Sequence, residues 1–317
     1  MDLLADMLAL SGVRGTLGAR IEAGEDWGWW AAESPGAAFH AVTSGTAWLV
    51  LPGRAPLRLM PGDVVLLPSG TAHVLGSDLA AVARTSEQVF DRWEWAGTGA
   101  VRIGSGAVQT HILCAHYEHD PAVSTQIVTL LPELIHVRAQ NGGDRLEDTV
   151  RLLGRELANP QLASAVVLDR LVDILLVQLL RVWLANRPDD GRASWLGVLD
   201  DPLVGAAVAR LHDDPARPWT TAALADEIAV SRATLSRRFA AAVGETPGAY
   251  LTRWRMDLAA RRLRDSDDSL DAIAQAVGYT SVYAFSRAFS RARAQPPGRF
   301  RLAARASVSP PSPQAAR

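Results

Sequence analysis

The sequence predicts an α+β protein: a β-rich N-terminal domain closing as a small antiparallel barrel, a helical segment, and an all-α C-terminal domain. Three observations carry this expectation. Short apolar runs separated by Gly/Pro turns fill residues 1 to about 135. From about Asp144 the apolar residues recur with helical spacing. Two segments of the back half then echo each other about 50 residues apart, each reading as helix, tight turn and helix. A length of 317 residues suits about two domains, each large enough for its own core.

The strands follow in order. Ala47-Trp48-Leu49-Val50-Leu51 is an apolar run closed by Pro52-Gly53, and Leu57-Arg58-Leu59-Met60 runs into Pro61-Gly62-Asp63. Val64-Val65-Leu66-Leu67 stops at Pro68-Ser69-Gly70, and Thr110 to Tyr117 supplies a further strand. Closely spaced strands split by such turns indicate a barrel or sandwich. The first helix carries a stripe of Leu146, Val150, Leu153 and Leu157 and ends near Asn159-Pro160. The second, about Leu162 to Asn186, is apolar around most of its circumference. Such a helix must be covered on several sides, either within its own chain or by a second subunit. The expected boundaries are a β domain over 1–140, a helical linker segment over 141–194, the all-α domain over 195–303, and a Ser/Pro/Ala tail over 304–317, disordered by composition.

Composition narrows the function. One cysteine excludes an internal disulfide framework and a cysteine-based structural zinc site. Met1-Asp2-Leu3-Leu4-Ala5-Asp6 lacks the basic start of a signal peptide. The most apolar stretch, Leu168–Leu184, is interrupted by Asp169, Arg170, Asp173, Gln178 and Arg181, so no membrane span is expected. A soluble, cytoplasmic protein is the expectation. All 32 basic residues are arginine, and they are unevenly placed. Residues 1–215 hold 16 arginines against 26 acids, a net of −10, whereas residues 216–305 hold 15 against 8, a net of +7. An acidic front and a basic back point to a polyanion met by the back alone, unless the bias merely reflects arginine-rich coding.

The repeated unit begins with Leu224-Ala225-Asp226-Glu227-Ile228-Ala229-Val230-Ser231, followed by Leu235 and Phe239. Its echo begins with Ile273-Ala274-Gln275-Ala276-Val277-Gly278-Tyr279-Thr280-Ser281, followed by Phe285 and Phe289. In each, a serine stands where the second helix needs its cap, and that helix buries residues four apart. This is the helix-turn-helix plan, whose second helix enters the major groove of DNA. Pro247 opens a long helix between the two, a rod of roughly 27 Å at 1.5 Å per residue. With Leu235, Phe239, Phe285 and Phe289 turned inward, helical phase turns Arg232, Ala233, Ser236 and Arg237 outward on the first helix. Val282, Tyr283, Ser286 and Arg287 turn outward on the second. Arginine can bond guanine O6 and N7 as a bidentate pair, and Val282 or Ala233 could touch a thymine methyl. Ser231 and Ser281, at helix N-termini, are placed for phosphate.

Over about Leu211–Arg301 the chain resembles the AraC/XylS family of transcription regulators. The matching residues include Leu224, Ala225, Ser231, Leu235, Phe239, Gly244, Pro247, Tyr250, Ile273, Gly278, Ser281, Phe285, Arg287, Phe289, Pro297 and Phe300. Arg293 and Ala294 depart from the usual aromatic and glycine, and Val230 from the usual small or sulfur residue. The resemblance implies sequence-specific binding to double-stranded DNA, activation of transcription through RNA polymerase, and a homodimer formed around the Leu168–Leu184 helix. It singles out Ala233, Ser236, Arg237, Val282, Tyr283, Ser286 and Arg287 as facing the groove.

In the front half, Gly62 to His73 reads G-x5-P-x-G-x2-H and is similar to the second cupin motif, in which a strand, a turn and a histidine line a small β-barrel. Of the first cupin motif only His40 stands out; the usual pair of histidines and a convincing glutamate are missing. The set His40, Trp48, His73, Cys114 and His116 is a candidate effector site, and His40 with His73 is the candidate ligand pair for a divalent transition metal. The plainer alternative leaves the histidines as hydrogen-bonded barrel residues and Cys114 as a small buried side chain. A thiol open to oxidation is the other reading of Cys114, since the front half also resembles a cupin subgroup of these regulators that includes sensors of reactive chlorine species. Trp27, Trp29 and Trp30, with Trp93 and Trp95, either floor an apolar effector pocket or belong to core and interface. His111, His119 and His136 have no evident partner. The leading expectation is therefore a transcription regulator that senses a small molecule or oxidant. The alternative is a cupin enzyme, a metal-dependent dioxygenase or isomerase, joined to a DNA-binding domain; the depleted metal motif weighs against it.

Overall fold

A computed structural model describes residues 4, 5, 8, 13–85, 99–118, 131–141, 143–186, 198 and 201–306. Trp93, Trp95, His119 and most of the 304–317 tail lie outside them, although the last helix runs on to Ala306. The chain divides into two compact units, one built from residues 13–120 and 125–189, the other mainly from residues 190–317.

The first unit is the β domain. Its larger sheet holds β1 (Arg14–Glu25), β3 (Ala37–Ser44), β6 (Val64–Leu67), β8 (Gly99–Ile103), β9 (Ser105–Glu118) and β10 (Ile135–Val137), in the order β10-β6-β3-β9-β1-β8. The smaller holds β2 (Gly28–Ala31), β4 (Ala47–Val50), β5 (Leu57–Leu59) and β7 (His73–Gly76), in the order β2-β7-β4-β5. Pairing is antiparallel except at one edge, where β8 runs parallel to β1. The two sheets meet across a core that draws Ile21, Val42, Val65, Leu67 and Ile112 from one and Trp29, Leu49, Leu59 and Leu75 from the other. Gly62 and Gly70 hold φ of +86° and +59°, the left-handed turns that the motif requires. At Gly70 a Cβ would sit 2.1 Å from the Ser34 carbonyl oxygen, so no other residue fits.

The opposite side of the larger sheet carries α2 (Gly143–Ala158) and α3 (Ser164–Asn186), which follow the short α1 (Leu79–Arg84). Of the two coverings open for the apolar helix of the 141–194 segment, its own chain supplies most. Leu146, Leu153, Leu168, Val172, Leu175 and Leu179 are buried, and both helices belong to the β unit. Tyr117 donates its hydroxyl to the Val172 carbonyl at 2.8 Å, and the Gly15 amide donates to Asp173 Oδ1 at 2.8 Å. A Cβ at Gly15 would come within 2.3 Å of Val172, so glycine is what lets helix and strand touch. The helix nevertheless keeps an open apolar face, with Val166 at 61% and Ile174 at 47% exposure.

The second unit is helical: α4 (Pro202–Asp213), α5 (Thr221–Glu227), α6 (Arg232–Val243), α7 (Pro247–Asp265), α8 (Leu270–Ala276), α9 (Val282–Arg293) and α10 (Pro297–Ala306). Helix α7 belongs to two cores. Its Tyr250, Leu251 and Trp254 pack with Leu224, Leu235 and Phe239, while Met256, Ala259 and Leu263 pack with Ile273, Phe285 and Phe289. At 19 residues it is about 28 Å long. No described helix is long and apolar enough to cross a membrane.

Candidate nucleic-acid interface and sensor core

The two helix-turn-helix halves are built alike down to single hydrogen bonds. In the first turn Val230 N donates to Ala225 O at 3.0 Å, and in the second Tyr279 N donates to Ala274 O at 2.8 Å. Each turn passes through the left-handed region, at Ala229 (φ +56°) and Gly278 (φ +80°). Ser231 Oγ accepts from Thr234 N and Ser281 Oγ from Ala284 N, so both serines cap their helices. The Ser231 hydroxyl also donates to Thr234 Oγ1 at 2.8 Å. The hydroxyls are thus engaged within the helix termini, which leaves the first two backbone amides of each helix without an intrahelical partner.

Gly278 is the tighter of the two turns. A Cβ there would lie 2.7 Å from the Ala216 carbonyl oxygen and 2.8 Å from the Arg255 guanidinium. Arg255 is itself engaged, donating from Nε to Pro215 O at 2.7 Å and from Nη2 to Arg217 O at 2.8 Å. Gly278→Ala is therefore expected to lower the stability of this unit by roughly 1–3 kcal/mol, a strained φ plus a displaced arginine, read as a lower melting temperature.

The positive charge of this unit is sorted by position. Arg238 forms a bidentate pair with Asp201, the cap of α4, at 2.8 and 2.6 Å. Arg253 holds Glu245 at 2.5 Å, and Arg293 forms a buried pair with Asp257, whose carboxyl burial pushes up and Arg293 pulls down. Arg262, Arg264 and Arg305 pair with Asp268, Asp265 and Asp267. Among the described residues of this unit, Arg232, Arg237, Arg287, Arg291 and Arg299 form no ion pair or hydrogen bond. Four of these five stand on α6 and α9. The exposed faces of those helices carry Arg232, Ala233 and Arg237, and Tyr283 and Arg287, with Ser236, Val282 and Ser286 half-buried beside them. Tyr283 is 72% exposed, and the Arg287 guanidinium lies 5.8 Å from its ring. Val282 also packs against the second core, which limits its reach outward.

Inside the β domain, strand register brings together residues far apart in sequence. β3 and β9 pair His40 with Cys114, and β7 delivers His73 from the smaller sheet. His40 Nδ1 lies 3.1 Å from Cys114 Sγ, and His40 Nε2 lies 2.8 Å from His73 Nε2. His73 Nδ1 lies 2.8 Å from the Thr71 carbonyl oxygen. The carbonyl only accepts, so His73 Nδ1 bears the proton and its Nε2 accepts from His40. His40 Nδ1 is then left to accept from the thiol. Burial holds both imidazoles below the usual histidine range, His40 also through the neighbouring His73, and it pushes the Cys114 thiol up. The chain is neutral and each member is satisfied.

This geometry does not fit a metal. Cys114 and His73 occupy opposite nitrogens of the same ring, the facing nitrogens share a proton, and no group of three ligand side chains exists among the described residues. Nor does the thiol fit an oxidant sensor, because it is buried and held protonated. His116 lies two residues along β9, with its ring at the Gly36 turn. Trp48 falls on the opposite face of β4 from Ala47 and Leu49 and points away from the core. The tryptophan that meets the pair is Trp29, edge-on to His40 at 5.8 Å and to His73 at 6.3 Å. The remaining histidines acquire partners that sequence does not reveal: His136 Nε2 on Asp63 Oδ2 at 3.1 Å, and His111 Nδ1 on Ser44 Oγ at 2.7 Å.

Comparison with known proteins agrees with this geometry. A cupin family model matches residues 2–185, and a helix-turn-helix domain model matches residues 224–303. A protein of Streptomyces lividans named as an AraC-like transcription regulator is 37% identical over 95% of this chain and 98% of its own length. The HTH-type transcriptional regulator AlkR of Acinetobacter baylyi is 30% identical over 83% of this chain and 86% of its own. The RCS-specific HTH-type transcriptional activator RclR of Escherichia coli is 27% identical over 95% of this chain and 97% of its own.

Proposed function

The chain belongs to the AraC-like transcription regulators and binds DNA, and from that premise we propose that α6 and α9 read two successive major grooves of its operator. The observation that carries this is the sorting of arginines: most of those that build the helical unit are held by carboxylates or backbone carbonyls, and four of the five left unpaired among the described residues stand on these two helices. Arg237 and Arg287 contact base edges, Arg232 and the free first-turn amides that follow Ser231 and Ser281 contact phosphate, and Ala233, Ser236, Tyr283 and Ser286 line the contact.

The β domain, in this reading, senses a small molecule, and the protein works as an activator beside RNA polymerase in the cytoplasm. The RclR relative's description as an activator supports that direction. Two copies pair through the open face of α3, whose Val166, Val167 and Ile174, with Leu152 of α2, form an apolar surface. The cupin-enzyme alternative has no observation in its favour.

The test is binding of the purified full chain to the DNA upstream of its own gene against random fragments. Specific protection is expected, with affinity falling steeply as salt rises, because each arginine–phosphate contact releases counterions. Equal affinity for random DNA would overturn the reading.

A further inference from the structure

On the helix-covered side of the larger sheet, between β3 and α2, lies a cavity of about 340 Å³, in the size range of small-molecule sites. Its walls are apolar, from Ala41 and Val64 of the sheet and from Leu146 and Val150 of α2. Its mouth is polar, with Thr43 opposite Glu147 and Arg151. The floor cannot be filled from the turn before β6, since a Cβ on Gly62 would come within 2.8 Å of Ala139. This space is separate from the core between the sheets, where His40, His73 and Cys114 already satisfy one another.

We propose that this cavity binds a small amphiphilic amine, with its hydrocarbon body against the four apolar side chains and its ammonium on Glu147. The charges at the mouth select the head group. Arg151 is shared by two carboxylates, Glu147 at 2.5 Å and Asp148 at 2.7 Å. An ammonium that takes Glu147 leaves Arg151 with Asp148, so every charge stays paired. A carboxylate ligand would have to draw the same guanidinium away from two carboxylates, and a neutral head group gains no ion pair. The site's occupant also bears on α2, which packs against α3, so occupancy can alter how these helices sit on the sheet. The inference rests on the reading of the β domain as a sensor.

The test is calorimetric titration of the full chain with octylammonium, octanol and octanoate below their micelle concentrations. Octylammonium is expected to bind on the order of tenfold more tightly than the other two. Glu147→Gln removes that preference, and Thr43→Trp, which fills the mouth, weakens all three. Both positions are exposed, and each variant gives up one surface contact, Thr43 Oγ1 to the His111 carbonyl or Glu147 to Arg151, so each is expected to fold and to melt close to the parent. Equal binding of the three head groups, no binding of octylammonium, or binding unchanged in either variant overturns the proposal. Operator protection is measured separately without amine, so failure here leaves the DNA-binding assignment standing.

Discussion

Arg237→Ala or Arg287→Ala is expected to weaken specific operator binding by roughly 5- to 150-fold each, the ~1–3 kcal/mol of a bidentate arginine–guanine contact. Thermal stability stays at the parent value. Both side chains are exposed and form no ion pair or hydrogen bond among the described residues, and alanine is a strong helix former, so the helices lose nothing. Arg238→Ala provides the contrast on the same helix. Its guanidinium is committed to Asp201, the cap of α4, so its loss should lower the melting temperature while leaving the operator footprint in place. Arg232→Ala should weaken binding to all sequences and reduce the slope of log affinity against log salt by about one phosphate's worth, ~0.9. Footprints at several salt concentrations beside thermal melts separate these outcomes. Unchanged protection in both the Arg237 and Arg287 variants would remove α6 and α9 as the reading helices.

Legibility in the sequence follows the range of the interactions involved. The helix-turn-helix halves are legible because their determinants are local: a cap, a left-handed turn and a four-residue spacing all lie within about 20 residues of chain. The Gly62–His73 motif is legible for the same reason. The chain Cys114–His40–His73 is not, because its members are 74 and 33 residues apart and meet only through the β3–β9 register and the facing of two sheets. Trp29 and Trp48 cannot be told apart by composition; the alternation of β4 around Leu49 decides between them. Helix α3 poses a different problem. Its apolar circumference states that it is covered without stating by what, and only the glycine at position 15 and the hydroxyl of Tyr117 show that its own sheet covers most of it. The same limit hid Asp63, which accepts from Met60 N, Ala139 N and His136 and so pins its own turn, the short 3-10 helix Ala139–Asn141 and β10 together.

The β domain should lose stability as pH falls from about 7.5 to 5.5, through His40 and His73. Burial lowers the affinity of both imidazoles for protons in the fold. In the unfolded chain they titrate near the ordinary 6.5, so below that pH the unfolded state carries the extra protons and is favoured. Stability is therefore full above about pH 7 and falls as pH drops through 6.5, continuing until the folded pair itself protonates. Protonating His40 would also cost the chain its thiol donor, since Nδ1 could no longer accept from Cys114. His40→Gln, neutral at every pH and still able to hydrogen-bond, should reduce the slope, whereas Cys114→Ser should leave it intact. Hydrogen exchange of β3 and β9 amides, corrected for the intrinsic effect of pH, follows this unit apart from the helical one. A flat protection profile from pH 7.5 to 5.5 would mean that the two rings take up protons in the fold as readily as in the unfolded chain, and the neutral, self-satisfied chain that leaves no place for a metal would have to be abandoned.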